Sequence, residues 1–216
     1  MDNYNTLILI DFDDSLFVTS WVVKNKIDIN NPRYKNKYIR LFKELDELLF
    51  KLFTKILKYE NTKVVIVTNA TRLWVYICLE VLPSTKEIVE KKVEVISARD
   101  LYKKKFPGNG FMWKRLTFKN LVMNHYMNKK DNQNIISIGD AFYEHQATVN
   151  LYKEFKNKIR LLKPIKMIQS PNYDEILDQL RVLYNNFNAI YTVKRHLDIA
   201  LTDKQTFERI ADIKYF

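Results

Sequence analysis

The sequence predicts an α/β fold: a Rossmann-like, three-layer sandwich around a mostly parallel sheet of five or more strands. Two observations predict it. Five short apolar runs of strand length alternate with segments of helical periodicity, the order expected of βαβ units. The runs are apolar throughout instead of alternating with polar residues, as expected where helices cover both faces of a sheet.

Residues 7–10 (LILI) give the first strand. Residues 37–58 carry Ile39, Phe42, Leu45, Leu49, Leu52, Phe53 and Ile56 at mostly three- and four-residue spacings, the stripe of a long amphipathic helix. The second strand is 64–67 (VVIV), followed directly by Thr68 and Asn69. Residues 72–82 read as a helix ended by Pro83, and 93–96 as the third strand. Residues 114–126 are helical by pattern, with Leu116, Phe118, Leu121, Val122 and Tyr126 available for a buried side. Residues 135–138 make the fourth strand, closed by Gly139 and Asp140. A helix beginning near Tyr143, a fifth strand around 159–162 and a helix over 171–187 follow. Together these define a core domain of residues 1–188. Residues 189–216, with a helical stretch at 203–213, are expected to form a C-terminal appendage packed on that core.

Composition excludes several classes. At 216 residues, 47% hydrophobic and with only three Gly and five Pro, the chain can build a real core and is not a disordered segment. No apolar run is long enough to cross a bilayer, and no cleavable-signal pattern opens the sequence, so no membrane partner is expected. The single cysteine, Cys78, precludes an internal disulfide and fits a reducing, cytoplasmic setting, where it reads as a small core residue. The net charge of +11 biases the chain toward anions, nucleic acid among them. Its cause can be compositional, because Lys, Asn and Ile are plentiful while Gly and Pro are scarce, as an AT-rich coding sequence dictates. His125, His145 and His196 have no metal-binding spacing, and Trp21, Trp74 and Trp113 read as packing residues, with Trp21 and Trp113 near enough to the motifs below to line a cleft.

In an open parallel sheet, ligands bind outside the carboxyl ends of the strands, so the polar residues there carry the functional reading. Asp11 and Asp13 end the first strand; charge at the lip of a buried strand is tolerated mainly where a cation or a reaction needs it. On a regular strand, residues two apart share a face. Thr68 and Asn69 end the second strand, Asp140 ends the fourth, and Lys114 opens a helix. Two acids, a hydroxyl, an ammonium and a further carboxylate are parts that serve phosphoryl transfer. Asp14 is expected to be exposed.

These segments resemble, in order and spacing, the haloacid-dehalogenase-like superfamily, mostly magnesium-dependent phosphohydrolases. The apolar strand with Asp-x-Asp at residues 7–15 is similar to its first motif, with Ser15 at the Thr/Val position. Residues 64–68 resemble its second, Lys114 its third, and residues 135–144 its fourth, with Glu144 at the last acidic position. The resemblance covers about residues 6–170. The stretches DDSLFVTSW, ISARDLY and IGDAFYE look like a little-characterised capless branch found in protists, fungi and large DNA viruses.

The resemblance implies roles. Asp11 would be the nucleophile and Asp13 the general acid and base. Asp11, Asp140 and the backbone carbonyl of Asp13 would hold Mg²⁺, with Glu144 in its outer shell. Thr68, Asn69 and Lys114 would bind phosphate. The implied function is hydrolysis of phosphomonoesters through an aspartyl-phosphate, with an open site suited to bulky, macromolecular phosphorylated substrates. Two alternatives stand beside it: a phosphatase acting on nucleic-acid ends, which needs basic residues 103–105 and those within 114–130 to converge beside Asp11, and a non-catalytic module that keeps the fold.

Overall fold

Side chains along a strand alternate between the two faces of a sheet, so an apolar run needs a helical layer on each side. In the computed structural model, which describes residues 5–126 and 133–201, both layers are present. The chain runs β1 (Asn5–Ile10), α1 (Thr19–Lys24), α2 (Pro32–Lys37), α3 (Ile39–Ile56), β2 (Thr62–Thr68), α4 (Arg72–Leu79), α5 (Pro83–Lys92) and β3 (Glu94–Ser97). It continues through α6 (Ala98–Tyr102), α7 (Gly110–Tyr126), β4 (Gln133–Gly139), α8 (Phe142–Glu154), β5 (Ile159–Lys166), α9 (Tyr173–Thr192) and β6 (Ile199–Ala200). The six strands form one all-parallel sheet in the order β3-β2-β1-β4-β5-β6. The α/β three-layer architecture expected from the sequence is therefore the fold.

The alternation is visible residue by residue. Ile8, Ile10, Val64, Ile66, Ile136 and Ile138 meet α3, α4, α5 and α9 on one face. Leu7, Leu9, Val65, Val67, Ile135 and Leu162 meet α6, α7 and α8 on the other. The helix α9 returns on the α3 face, opposite to α8, so the β5–β6 connection winds in the sense opposite to β4–β5.

Three differences from the sequence reading have physical causes. The helix expected to run to Pro83 stops at Leu79, and Pro83 instead starts a helix: it is the first residue of α5, whose leading amides Ser84 N and Thr85 N donate to the Asp46 carboxylate of α3 at 3.0 and 2.7 Å. Short helices α1 and α2 fill the stretch between the first strand and the long helix, where the sequence pattern marks no element; Pro32 and the Asn31 side chain, which accepts from Arg33 N, start α2. The boundary drawn at 188/189 falls inside α9, and residues 199–200 join the sheet as its outer strand. The helix expected at 203–213 lies outside the described residues. No helix among the described residues is long and apolar enough to cross a membrane.

Candidate active site

The strand order reverses between β1 and β4, and in open parallel sheets the crevice at that point receives ligands. Continuing the β1 alternation past Leu9 sends the next odd residue, Asp11, toward the α7–α8 face. Its amide donates to Ile138 O at 2.8 Å, which carries the β1–β4 pairing one step beyond the strand. Asp11 is buried, and Lys114, one turn into α7 and 0% exposed, places Nζ 2.5 Å from its Oδ1. Lys114 also donates to Val67 O, which ties the ammonium to the end of β2.

Asp140 follows β4, and Glu144 lies in the first turn of α8. The carboxylates of Asp11, Asp140 and Glu144 lie within 4.8 Å of one another, all buried. Glu144 comes this close because residue 139 is glycine: a Cβ there would sit 2.9 Å from Glu144 Cγ. The resemblance implied an outer-shell position for Glu144; the geometry puts its carboxylate directly in the cluster. Lys114 Nζ stands 3.2 Å from Glu144 Oε1, yet neither Glu144 oxygen accepts a hydrogen bond.

Three buried carboxylates thus crowd round the Lys114 ammonium, with Lys166 Nζ donating to the Asp140 carbonyl at the edge of the group, and their affinities for protons record the imbalance. Burial pushes Asp11 from 3.8 up to about 7, against the pull of Lys114, and Glu144 and Asp13 push it further. Burial, then Asp11 and Asp14, push Asp140 up to about 7. Keeping either one ionised costs on the order of 4 kcal/mol relative to water. Glu144 is raised as well, by burial first. Burial opposes the charge on Lys114, but Asp11 and Glu144 outweigh it and hold the ammonium protonated, above its ordinary range. A crowded set of hard oxygen donors fits a hard metal cation.

Asp13 belongs to a second polar group. The strand ends at Ile10, and the chain then turns on the Phe12 carbonyl, which accepts from Leu16 N and Phe17 N, both at 2.9 Å. The face-sharing expected of a regular strand therefore stops before Asp13. Its Oδ1 accepts from Thr19 Oγ1 at 2.7 Å and from Trp74 Nε1 at 2.9 Å, and its Oδ2 from Thr68 Oγ1 at 2.9 Å. Asp13 is near enough to push on Asp11 electrostatically, yet the two carboxylates have separate supports. Thr68 Oγ1 also accepts from Ala70 N at 2.9 Å, so its hydroxyl braces Asp13 and the loop. Asn69 Nδ2 donates to Gly110 O at 3.1 Å, tying the end of β2 to the start of α7, one turn before Lys114. That brace is a structural task for a side chain assigned by resemblance to phosphate.

Asp14 is buried, not exposed. It adopts a left-handed backbone (φ 54°), which Asp tolerates better than most residues, and accepts from the amide of Ser20 at 2.8 Å and from its hydroxyl. That clamp brings Thr19 onto Asp13. Among the tryptophans, Trp74 reaches the site, while Trp21 lies between Tyr38 and Tyr173, and Trp113 Nε1 is held by Phe106 O at 2.7 Å. Tyr143, between Phe142 and Glu144, was also missed; burial, then Glu144 and Asp11, keep its hydroxyl protonated. Only its place beside an acidic motif could have flagged it. His145 pairs with Asp198, and His196 Nδ1 accepts from Leu162 N at 3.1 Å. Of the basic residues expected to converge on Asp11, Arg115 and Lys119 instead pair with Glu154 at 2.6 and 2.8 Å. Cys78 is fully buried and its thiol is pushed far up by burial.

No family model, curated protein or solved structure matches this chain.

Proposed function

We propose that the protein hydrolyses phosphomonoesters through an aspartyl-phosphate, with Mg²⁺ as cofactor, as the resemblance to the haloacid-dehalogenase-like superfamily implies. The observation that carries this reading is the pairing of a buried Asp11–Asp140–Glu144 cluster, charge-balanced on one side by Lys114, with a separately braced carboxylate at Asp13. Asp11, Asp140 and Glu144 would hold the cation, which supplies charge neutralisation to the phosphoryl oxygens.

In the first step an Asp11 carboxylate oxygen bonds to phosphorus as the phosphorus–oxygen bond to the alcohol breaks. Asp13, protonated, gives its proton to that leaving oxygen. In the second, a water oxygen bonds to phosphorus, Asp13 takes the water's proton, and the acyl-phosphate bond breaks to free phosphate and Asp11. Lys114 lowers the cost of bringing an anionic ester up to an anionic nucleophile. Thr19, Thr68 and Trp74 fix the direction in which Asp13 moves its proton. The absence of a membrane-spanning helix among the described residues and the buried lone thiol accord with a cytoplasmic site of action.

A panel of small, peptide and oligonucleotide phosphoesters, assayed with Mg²⁺ and with EDTA, tests the reading. Mg²⁺-dependent phosphate release that vanishes in Asp11→Asn is expected. Release that survives Asp11→Asn overturns the mechanism, and no release from any ester shifts the protein to the binding-module reading.

A further inference from the structure

We propose that the free edge of β3 docks an extended segment of a phosphorylated protein substrate and so brings its phosphoryl group to Asp11. This substrate class rests on the phosphatase reading above. β3 is the outermost strand on its side of the sheet, and no described strand pairs with its outer side. It holds no proline and pairs with β2 without a bulge, so main-chain donors and acceptors stand open to an incoming strand. A groove of about 560 Å³ follows that edge, with Arg72, Tyr76, Val95, Ile96, Ser97 and Leu101 in its lining. Leu101, 60% exposed, offers an apolar lip.

The groove lies beside the candidate site. Ser97, the last residue of β3, is level with Thr68 of β2, whose hydroxyl holds Asp13 Oδ2 at 2.9 Å. Arg72 lines the groove, and Trp74, two residues further along α4, holds Asp13 Oδ1 at 2.9 Å. This corner is fixed before a partner arrives: Ser97 Oγ donates to Ala70 O at 2.6 Å, and Arg72 N to Asp100 Oδ2 at 3.0 Å. A strand added outside β3 would lie three strand spacings from β1, about 14 Å. About four or five extended residues span that distance, which sets how far the phosphorylated residue stands from the docked stretch. The lining also separates peptide from nucleic acid. Glu90, Glu94 and Asp100 line the groove beside one guanidinium, Arg72. Even with Lys63 paired to Glu94 and Lys86 to Glu90, no positive charge is left over to hold a row of phosphates. A peptide backbone is uncharged and needs none.

The test uses phosphoseryl peptides with a Val-Thr-Val-Thr stretch about five residues before or after the phosphoserine, each with a control whose threonines are replaced by proline. p-Nitrophenyl phosphate and a 5′-phosphorylated oligonucleotide complete the panel, on wild type and Leu101→Asp. In one of the two orientations, KM is expected to fall about ten-fold below that of the proline control, the scale of one or two main-chain hydrogen bonds. Leu101→Asp is expected to erase that gap and to leave p-nitrophenyl phosphate unchanged. Equal KM for strand-forming and proline peptides overturns the docking strip while sparing the phosphatase reading, and so does a gap that Leu101→Asp leaves intact. An oligonucleotide with a lower KM than every peptide gives the substrate to nucleic acid and overturns the strip as well. A dimer in sedimentation that Leu101→Asp dissolves gives the edge to a second copy of this chain, with the same result. Hydrolysis of none of these esters overturns the phosphatase reading and the docking strip with it.

Discussion

Lys114 and Lys163 are both 0% exposed, and the company each keeps separates function from structure in this molecule. Lys114 faces two carboxylates, which keep its charge despite burial. Lys163, on β5, faces none: its Nζ donates to the carbonyls of Ile190 and Tyr191 at 2.7 and 2.9 Å, in the last turn of α9. Burial alone lowers its pKa to about 8. A lysine held by helix-end carbonyls satisfies orphaned acceptors and closes the helix. A lysine held among crowded carboxylates only partly offsets their charge, and that residue of charge is what a cation and a phosphate ester can use.

The largest expected effect comes from deleting the first of the pair. Lys114→Met should lower kcat by about 10²–10³, the scale of losing one electrostatic donor. It should also destabilise the metal-free fold by about 3–5 kcal/mol, because it leaves the buried Asp11 and Glu144 uncompensated. Steady-state kinetics and urea unfolding read the two losses, and retention of wild-type kcat would erase the distinction between the lysines.

Acidity sharpens the comparison from the carboxylate side. Asp11 and Asp140 keep protons up to about pH 7 when folded, but release them near 4 when unfolded. Between those values the folded state binds more protons, so this pair's contribution to stability falls as pH rises through the window. Cation binding needs the anions, so the stabilisation by Mg²⁺ should grow over the same range. Melting in Mg²⁺ and in EDTA at pH 5, 6 and 7 checks this; an equal Mg²⁺ increment at pH 5 and 7 would sink it.

The smallest effect belongs to Lys163→Met, expected to cost about 1–3 kcal/mol for the helix-end acceptors left bare, with kcat unchanged. Folded Lys163 releases its proton at about 8 and the unfolded chain at 10.5, so wild-type stability gains from this group as pH rises between them. Urea midpoints across that range should show the gain in wild type and not in the variant. A folded Lys163→Met that has lost activity would show that the two lysines are not separate cases.

The parts of the site visible in the sequence are those that local pattern delivers. Apolar runs located β1, β2 and β4, and a parallel sheet then brings Asp11, Thr68 and Asp140 to one edge whatever the intervening residues are. What stayed hidden depends on contacts between distant segments. Trp74 reads as a core residue of α4 until the turn on Phe12 brings Asp13 to its indole nitrogen. Asp46 looks like a charge misplaced on an apolar stripe until α5 sets its first amides against it. Glu144 differs from the acid expected there by one methylene, and only the missing Cβ of Gly139 lets it into the cluster.

The reversal of strand order at β1 and β4 also bears on how the chain acquires its chemistry. Neighbours in the sheet there are 128 residues apart in sequence, as the pairing of Leu7 with Ile135 shows. Closing so long a loop is entropically costly, and nothing shorter joins Asp11 to Asp140. The neighbouring pair β1 and β2 closes over less than half that length, Leu7 meeting Lys63. A chain emerging from the ribosome can therefore assemble β1 and β2 early, but it has no acidic cluster until β4 inserts on the far side of β1. Asp11 is kept apart from Asp140 and Glu144, and still hydrated, until the fold that must bear their repulsion is nearly complete.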